Sequence, residues 1–150
     1  MLGELSAREI EDILKSSVVG RIGCCAQQKM YVVPVTYIYD GEYIIGNTVE
    51  GMKINLLRQN PECCFEVDIV KDLANWQSVI AWGTFEELKG DEAEKSLQKL
   101  LSKLEPLVPG ETSHPQRMGP SSSERISTYG KNPIIYRIRL TEKSGRFERK

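Results

Sequence analysis

The segment Asn47-Thr48-Val49-Glu50-Gly51-Met52-Lys53 gathers residue types that can hold an anion. A strand-like run ends in small polar residues, a glycine follows, and a lysine stands where a helical pattern begins. Small residues let backbone amides approach a ligand, a helix N-terminus carries partial positive charge, and Lys53 adds a full one. The chemistry described is phosphate binding. It is not a Walker A loop: Gly46 and Gly51 have the right separation, but Met52 stands where that loop places its lysine. A solvated helix start carrying one lysine has the same sequence, so these residues alone leave both readings open.

Other reactive residues are few. His114 is the only histidine, followed by Pro115 in a Pro- and Gly-punctuated stretch from Pro106 to Pro133. One histidine so placed makes no compelling Ser-His-Asp set. A long loop within a compact domain is either functional or disordered. We expect this one to border a ligand pocket, with His114, Arg117 and Arg125 facing an anionic substrate; a tether to the last strand is the alternative. The four cysteines form two adjacent pairs, Cys24-Cys25 and Cys63-Cys64, without C-x-x-C spacing. Neighbours on a strand point to opposite faces, so at most one of each pair can turn toward a shared metal. We expect reduced thiols packed as small apolar residues, and no metal.

The elements that must position these residues follow from the hydrophobic pattern. Ser6-Ala7-Arg8-Glu9 fits a capping box, and Ile10, Ile13 and Leu14 then fall at helical spacing, predicting a helix from Ala7 to about Ser16. Val18 to Ala26 and Met30 to Tyr39 read as strands divided by Gln27-Gln28-Lys29. Asp40-Gly41 signals a two-residue hairpin loop, returning as a strand from Glu42 to Ile45. A short helix opens near Lys53 with Ile54, Leu56 and Leu57 toward the core and ends at Asn60-Pro61. Cys63 to Ile69, Trp76 to Leu88 and Ile134 to Leu140 complete the strands. Asp91 to Glu105 is a helix with Leu97, Leu100, Leu101 and Leu104 on one stripe. Hairpins dominate and β-α-β alternation is missing, which predicts a small antiparallel barrel with helices packed around it.

Composition narrows the function classes. A chain of 150 residues is the size of one globular domain, and we expect a single one spanning 1–150. Its 20 Lys+Arg against 21 Asp+Glu leave a net charge of -1, which argues against a nucleic-acid binder with a basic stripe. An oligonucleotide-binding barrel suits the small β-architecture but not this charge balance. No apolar run approaches a membrane span, and the first residues lack a signal-peptide core. The expected localisation is cytoplasmic.

Several of these motifs occur in a shared order. Tyr31-Val32-Val33-Pro34-Val35-Thr36-Tyr37, Asp40-Gly41, Glu50-Gly51-Met52-Lys53, Asn60-Pro61, Trp76-Gln77-Ser78-Val79-Ile80-Ala81-Trp82-Gly83 and Gly145-Arg146-Phe147 are arranged as in FMN-binding split barrels. Over roughly residues 5 to 147 the chain resembles the pyridoxamine 5′-phosphate oxidase-like proteins, most of all the branch that includes the nitroimidazole-resistance proteins. The resemblance implies a six-stranded antiparallel split β-barrel, mainly β with flanking helices, and a homodimer with FMN at the subunit interface. By position it places Val35, Thr36 and Tyr37 along the flavin ring, and Asn47 and Thr48 near the ribityl and phosphate. It further implies that Gly51, Met52 and Lys53 hold the phosphate and that Ser78 and Val79 supply a polar contact and packing. Many relatives carry an arginine where Met52 stands, and the nitroimidazole-resistance branch usually a histidine where Gly46 stands. The implied function is an FMN-dependent oxidoreductase acting on a small molecule. The alternative is a flavin- or haem-binding protein without turnover, acting in storage or sensing.

Overall fold

The computed structural model describes residues 1–107 and 133–150. His114, Arg117 and Arg125, and with them the reading of the loop, lie outside the described residues. In chain order the elements are β1 (Leu2–Glu4), α1 (Ala7–Ser16), β2 (Val19–Ala26), β3 (Lys29–Thr36), β4 (Ile38–Tyr39) and β5 (Tyr43–Thr48). There follow α2 (Met52–Gln59), β6 (Glu62–Asp72), β7 (Asn75–Leu88), α3 (Gly90–Leu104) and β8 (Ile134–Glu148).

The local signals act where the sequence places them. Ser6 Oγ accepts the Glu9 amide at 3.2 Å while Glu9 Oε1 accepts the Ser6 amide at 3.0 Å, so the capping box closes at the start of α1. Gln27 and Gln28 form the β2–β3 turn with φ of 50° and 65°. Positive φ at both central residues matches the strand twist, at a steric cost for side chains with a Cβ. The next turn sits one residue later than the Asp-Gly reading. Asp40 Oδ1 accepts the amides of Glu42 and Tyr43 at 2.9 and 2.7 Å, which makes Asp40 the flank and Gly41-Glu42 the loop. Gly41 supplies the required positive φ of 102°.

The sheet is antiparallel, in the order β3-β2-β6-β7-β8-β5-β4, with β1 added on β8. Its six long strands are the expected ones; β1 and β4 are short additions. The outermost strands of this order, β3 and β4, are consecutive in the chain, with only Tyr37 between them. One continuous stretch therefore occupies both edges, and the sheet must curl into a barrel. Tyr37 fixes the junction by donating its amide to Val18 O at 2.9 Å and its hydroxyl to Leu14 O at 2.8 Å. The last strand runs well past Leu140, because residues beyond it keep pairing with β7 and then with β1. Polar Thr141 to Ser144 hid this extension from the hydrophobic pattern.

The barrel interior is filled by Ile22, Phe65, Val67, Ile44, Tyr136 and Ile138, with Leu14 of α1 and Ile54 and Leu57 of α2 closing over them. On the far side of β4, β5 and β8, α3 lays Leu100 against Ile38 and Ile45, and Leu97 against Leu88 and Ile135. The outward face of β3, β2, β6 and β7 carries a cross-strand row of Val32, Gly23, Cys64 and Trp82, and beside it Pro34, Arg21, Glu66 and Ile80. Val32 is 69% and Met30 81% exposed there, an apolar surface left open.

Candidate anion site at the start of the second helix

The strand β5 delivers Asn47 and Thr48 at its end, and after three residues α2 begins with Met52 and Lys53. Gly51 is the N-cap and no side chain caps this helix, so its first amides are not claimed from within. Leu56, Leu57 and Ile54 bury one face of α2, as the pattern predicts, and this anchors the helix start. Asn60 ends it: its amide goes to Leu56 O at 2.9 Å, and its Nδ2 donates to Cys25 O at 2.8 Å on β2.

Lys53 lies half-buried over β2. Burial holds its amine below the usual lysine range, opposed by the nearby Cys24 thiol. Among the described residues no carboxylate and no hydrogen-bond acceptor is paired with it. The adjacent acid is engaged elsewhere. Arg58 Nη1 and Nη2 each donate to Glu50 at 2.8 Å, and Arg58 Nε donates to Glu87 at 2.5 Å. Glu87 first and Glu50 second raise the Arg58 pKa. This clamp neutralises Glu50 and leaves Lys53 as the uncompensated charge beside Gly51. The sequence pattern named Lys53 but gave no sign of Arg58, whose partners come from two other segments.

The remaining site candidates divide by face. Thr36 is exposed and Ser78 half-buried on the outward side, where Ser78 Oγ donates to Glu66 Oε2 at 3.2 Å. Arg21 Nη1 lies 3.4 Å from Glu66 and 3.6 Å from Asp68. Burial, then Asp68, pushes the Glu66 carboxyl up. Val35, Tyr37 and Val79 turn inward and are enclosed in the core. Their side chains shape the barrel and present nothing to its surface. Asn47 and Thr48 are half-buried beside the helix start, and Met52 is exposed. Asn47 and Thr48 end β5 on opposite faces, Thr48 with Gly46 and Asn47 with the α3 side. Gly51, Met52 and Lys53 open α2, and Thr36 and Ser78 lie on the outward face.

The cysteines divide in the same way. Cys24 and Cys63 face each other inside the barrel, while Cys25 and Cys64 lie on the outward side. Cys24 Sγ donates to Tyr31 O and Cys63 Sγ to Gly83 O, each at 3.7 Å. Burial pushes the Cys63 thiol up to about 12, so it stays protonated. Among the described residues no group of three or more His, Cys, Asp or Glu is arranged to hold a metal. Among them, too, no helix is long and apolar enough to cross a membrane.

One buried polar atom is unmatched. Tyr136 on β8 is fully enclosed, and its hydroxyl has no hydrogen-bond partner among the described residues. It lies directly across from Gly46 of β5, where a Cβ would come within 2.5 Å of the hydroxyl oxygen. Only glycine allows the ring to lie this close.

A family model described as pyridoxamine 5′-phosphate oxidase matches residues 6–147, nearly the whole chain. The chain belongs to the pyridoxamine 5′-phosphate oxidase family. Among solved structures, a FAD-binding protein from Mesorhizobium loti is similar at 25% identity and a TM-score of 0.78, over 100% of this chain and 98% of that one. A Bacteroides thetaiotaomicron protein named for 5-nitroimidazole antibiotic resistance shares the fold at 15% identity and a TM-score of 0.69, over 98% of this chain and 87% of that one. An uncharacterized protein of Rhizobium meliloti is 27% identical over 84 residues; the match spans 56% of this chain and 56% of that relative. Membership of the pyridoxamine 5′-phosphate oxidase family agrees with the split-barrel architecture and the flanking helices.

Proposed function

We propose that the chain binds FMN with its phosphate on Lys53 and acts as a flavin-dependent oxidoreductase on a small molecule. The observation that carries this reading is Lys53 itself: a half-buried cation at an uncapped helix start, its neighbouring acid clamped away, in a chain of this family. The fit is supported by the residues around it. Small and polar residues precede the helix start, and no side chain caps its first amides. Bound flavin supplies the two-electron redox chemistry; the chain's own residues bind, orient and exclude water. Lys53 and the first amides of α2 hold a phosphate, while Asn47 and Thr48 offer polar contacts beside it. FMN is preferred to FAD because Lys53 is one cation facing one phosphate, with Met52 where relatives carry an arginine. The similar Mesorhizobium loti protein is named for FAD, so FAD belongs in the test.

The open apolar face supports a homodimer. Val32, Met30 and Trp82 are costly to leave in water, and a second copy covering them also encloses Thr36 and Ser78. That brings the outward site candidates into an interface.

Titrating the purified protein with FMN, FAD and riboflavin, read by flavin fluorescence and absorption, tests the reading. FMN binds more tightly than riboflavin, and Lys53→Ala costs FMN about 1.5–3 kcal/mol, the scale of a charge-assisted bond, with little loss for riboflavin. Equal losses for both ligands remove Lys53 as phosphate anchor. A Soret band in place of flavin bands turns the reading to haem.

A further inference from the structure

The open face of β3, β2, β6 and β7 is apolar at its ends and charged at its centre. Met30, Val32 and Trp82 lie toward one end, and exposed Val70 lies toward the other. Between them stand Arg21, Glu66, Asp68 and Ser78. Arg21 Nη1 lies 3.4 Å from Glu66 and 3.6 Å from Asp68, and Ser78 Oγ donates to Glu66 at 3.2 Å. One guanidinium therefore faces two carboxylates, and the same nitrogen serves both.

The neighbouring strands do not make up the missing positive charge. Beside Arg21 the outward positions of β3 carry Pro34 and Thr36, and beside the two acids those of β7 carry Ile80 and Ser78. On this face β2 adds the thiol of Cys25, and β6 adds the thiol of Cys64 and the acid Glu62. From β8, Arg146 stands across Ser78 and Arg139 across Thr84, but Glu142 stands across Trp82 and Glu148 across Trp76. Among the described residues no second cation is paired with Glu66 or Asp68. Water screens such a surplus on an open face. Enclosure removes the water, and a carboxylate without a full partner then takes up a proton more readily than it stays charged.

We propose that closing this face against a second copy of the chain takes up a proton on Glu66 of each copy, so that acid promotes assembly and alkali opposes it. The inference rests on the homodimer reading above and adds its regulation. Glu66 is the acid that yields, because its side chain is 26% exposed against 38% for Asp68. Burial, then Asp68, already push its carboxyl up in the single chain. Once Glu66 is neutral, Arg21 and Asp68 remain as one cation and one anion, and the enclosed centre balances. The folded monomer thus holds Glu66 above the ordinary 4.5, and enclosure raises it further. Association tightens as pH falls through the window between those two values and is flat on either side of it.

Sedimentation equilibrium of the purified chain across a pH series tests this. From about pH 8 down to about pH 5.5 the wild-type dimer dissociation constant falls about tenfold or more, since two protons are taken up per dimer. Glu66→Gln can still accept from Ser78 but cannot charge, so its dimer is tight at both ends of the series and nearly flat between them. Arg21→Gln removes the one cation, weakens the dimer at about pH 8 and moves the transition to higher pH. A wild-type dimer indifferent to pH overturns the proposal and leaves the homodimer in place. So does a Glu66→Gln chain with the wild-type pH dependence. A wild-type chain that stays monomeric throughout the series overturns both.

Discussion

Glu50 and Lys53 stand three residues apart with opposite charges, yet they are not paired. Arg58 takes Glu50 through two nitrogens and Glu87 through a third, and this keeps a carboxylate away from the helix start. If the clamp protects an anion site, Arg58→Ala releases Glu50 to compete for Lys53, and FMN affinity drops several-fold while riboflavin affinity holds. Adding Glu50→Gln then restores FMN binding. A merely structural role for Arg58 gives no such rescue, so titrations of the single and double variants decide the matter. If Lys53 anchors a phosphate, it also sets a pH dependence. Its pKa lies below the usual lysine value because it is buried, so its charge is present below that pKa and lost as pH rises through it. FMN affinity is therefore expected to fall in the alkaline range sooner than an ordinary lysine would allow, with riboflavin affinity flat across the same titration.

Two elements carry signals that can be tested in isolation. At the start of α1 the Ser6 backbone amide, then Arg149 and the Ser6 hydroxyl, hold the Glu9 carboxyl at about 2 against an ordinary 4.5. The folded pKa is depressed, so its stabilisation is complete above about 4.5 and is lost as pH falls toward 2. Urea unfolding of wild type and Glu9→Gln should show wild type the more stable at neutral pH, with the gap closing across that window. The β2–β3 turn offers the opposite opportunity. Gln27 and Gln28 hold positive φ, which Asn-Gly adopts with less strain. Replacing the pair by Asn-Gly should raise stability by about 1 kcal/mol, seen as a higher urea midpoint at unchanged slope.

At the scale of the whole molecule the open face of β3, β2, β6 and β7 bears on the proposed homodimer. It exposes Val32, Met30, Ile80 and Trp82 around the polar set of Arg21, Glu66, Asp68 and Ser78. Sedimentation of the wild type should give about twice the 17.0 kDa chain mass. Val32→Glu together with Trp82→Lys should yield a folded monomer, since both side chains point away from the barrel core. A wild-type monomer that binds FMN at full affinity would show that the site needs no second copy.

The sequence by itself determined most of the elements and where the candidate anion-binding residues stand. Capping at Ser6 and Glu9, the helix stop at Asn60-Pro61, the alternation from Ile134 to Leu140 in β8 and the leucine stripe of α3 are set by contacts a few residues long. Such patterns are readable without a partner. Lys53 was legible for the same reason: glycine, helix start and lysine are neighbours in the chain. The tertiary structure decided what depends on register between distant segments. Closure through Tyr37, the inward turn of Val35 and Val79, the facing of Cys24 and Cys63, and the reach of Arg58 to Glu87 each need strands and helices to meet. The meeting of Tyr136 with Gly46 is the extreme case. A tyrosine in β8 and a glycine in β5 carry no mutual signal in the chain, because a one-residue slip would pair each with another neighbour and reverse the face. Only the cooperative pairing of the closed barrel fixes that register, and with it the close approach of the Tyr136 ring to Gly46.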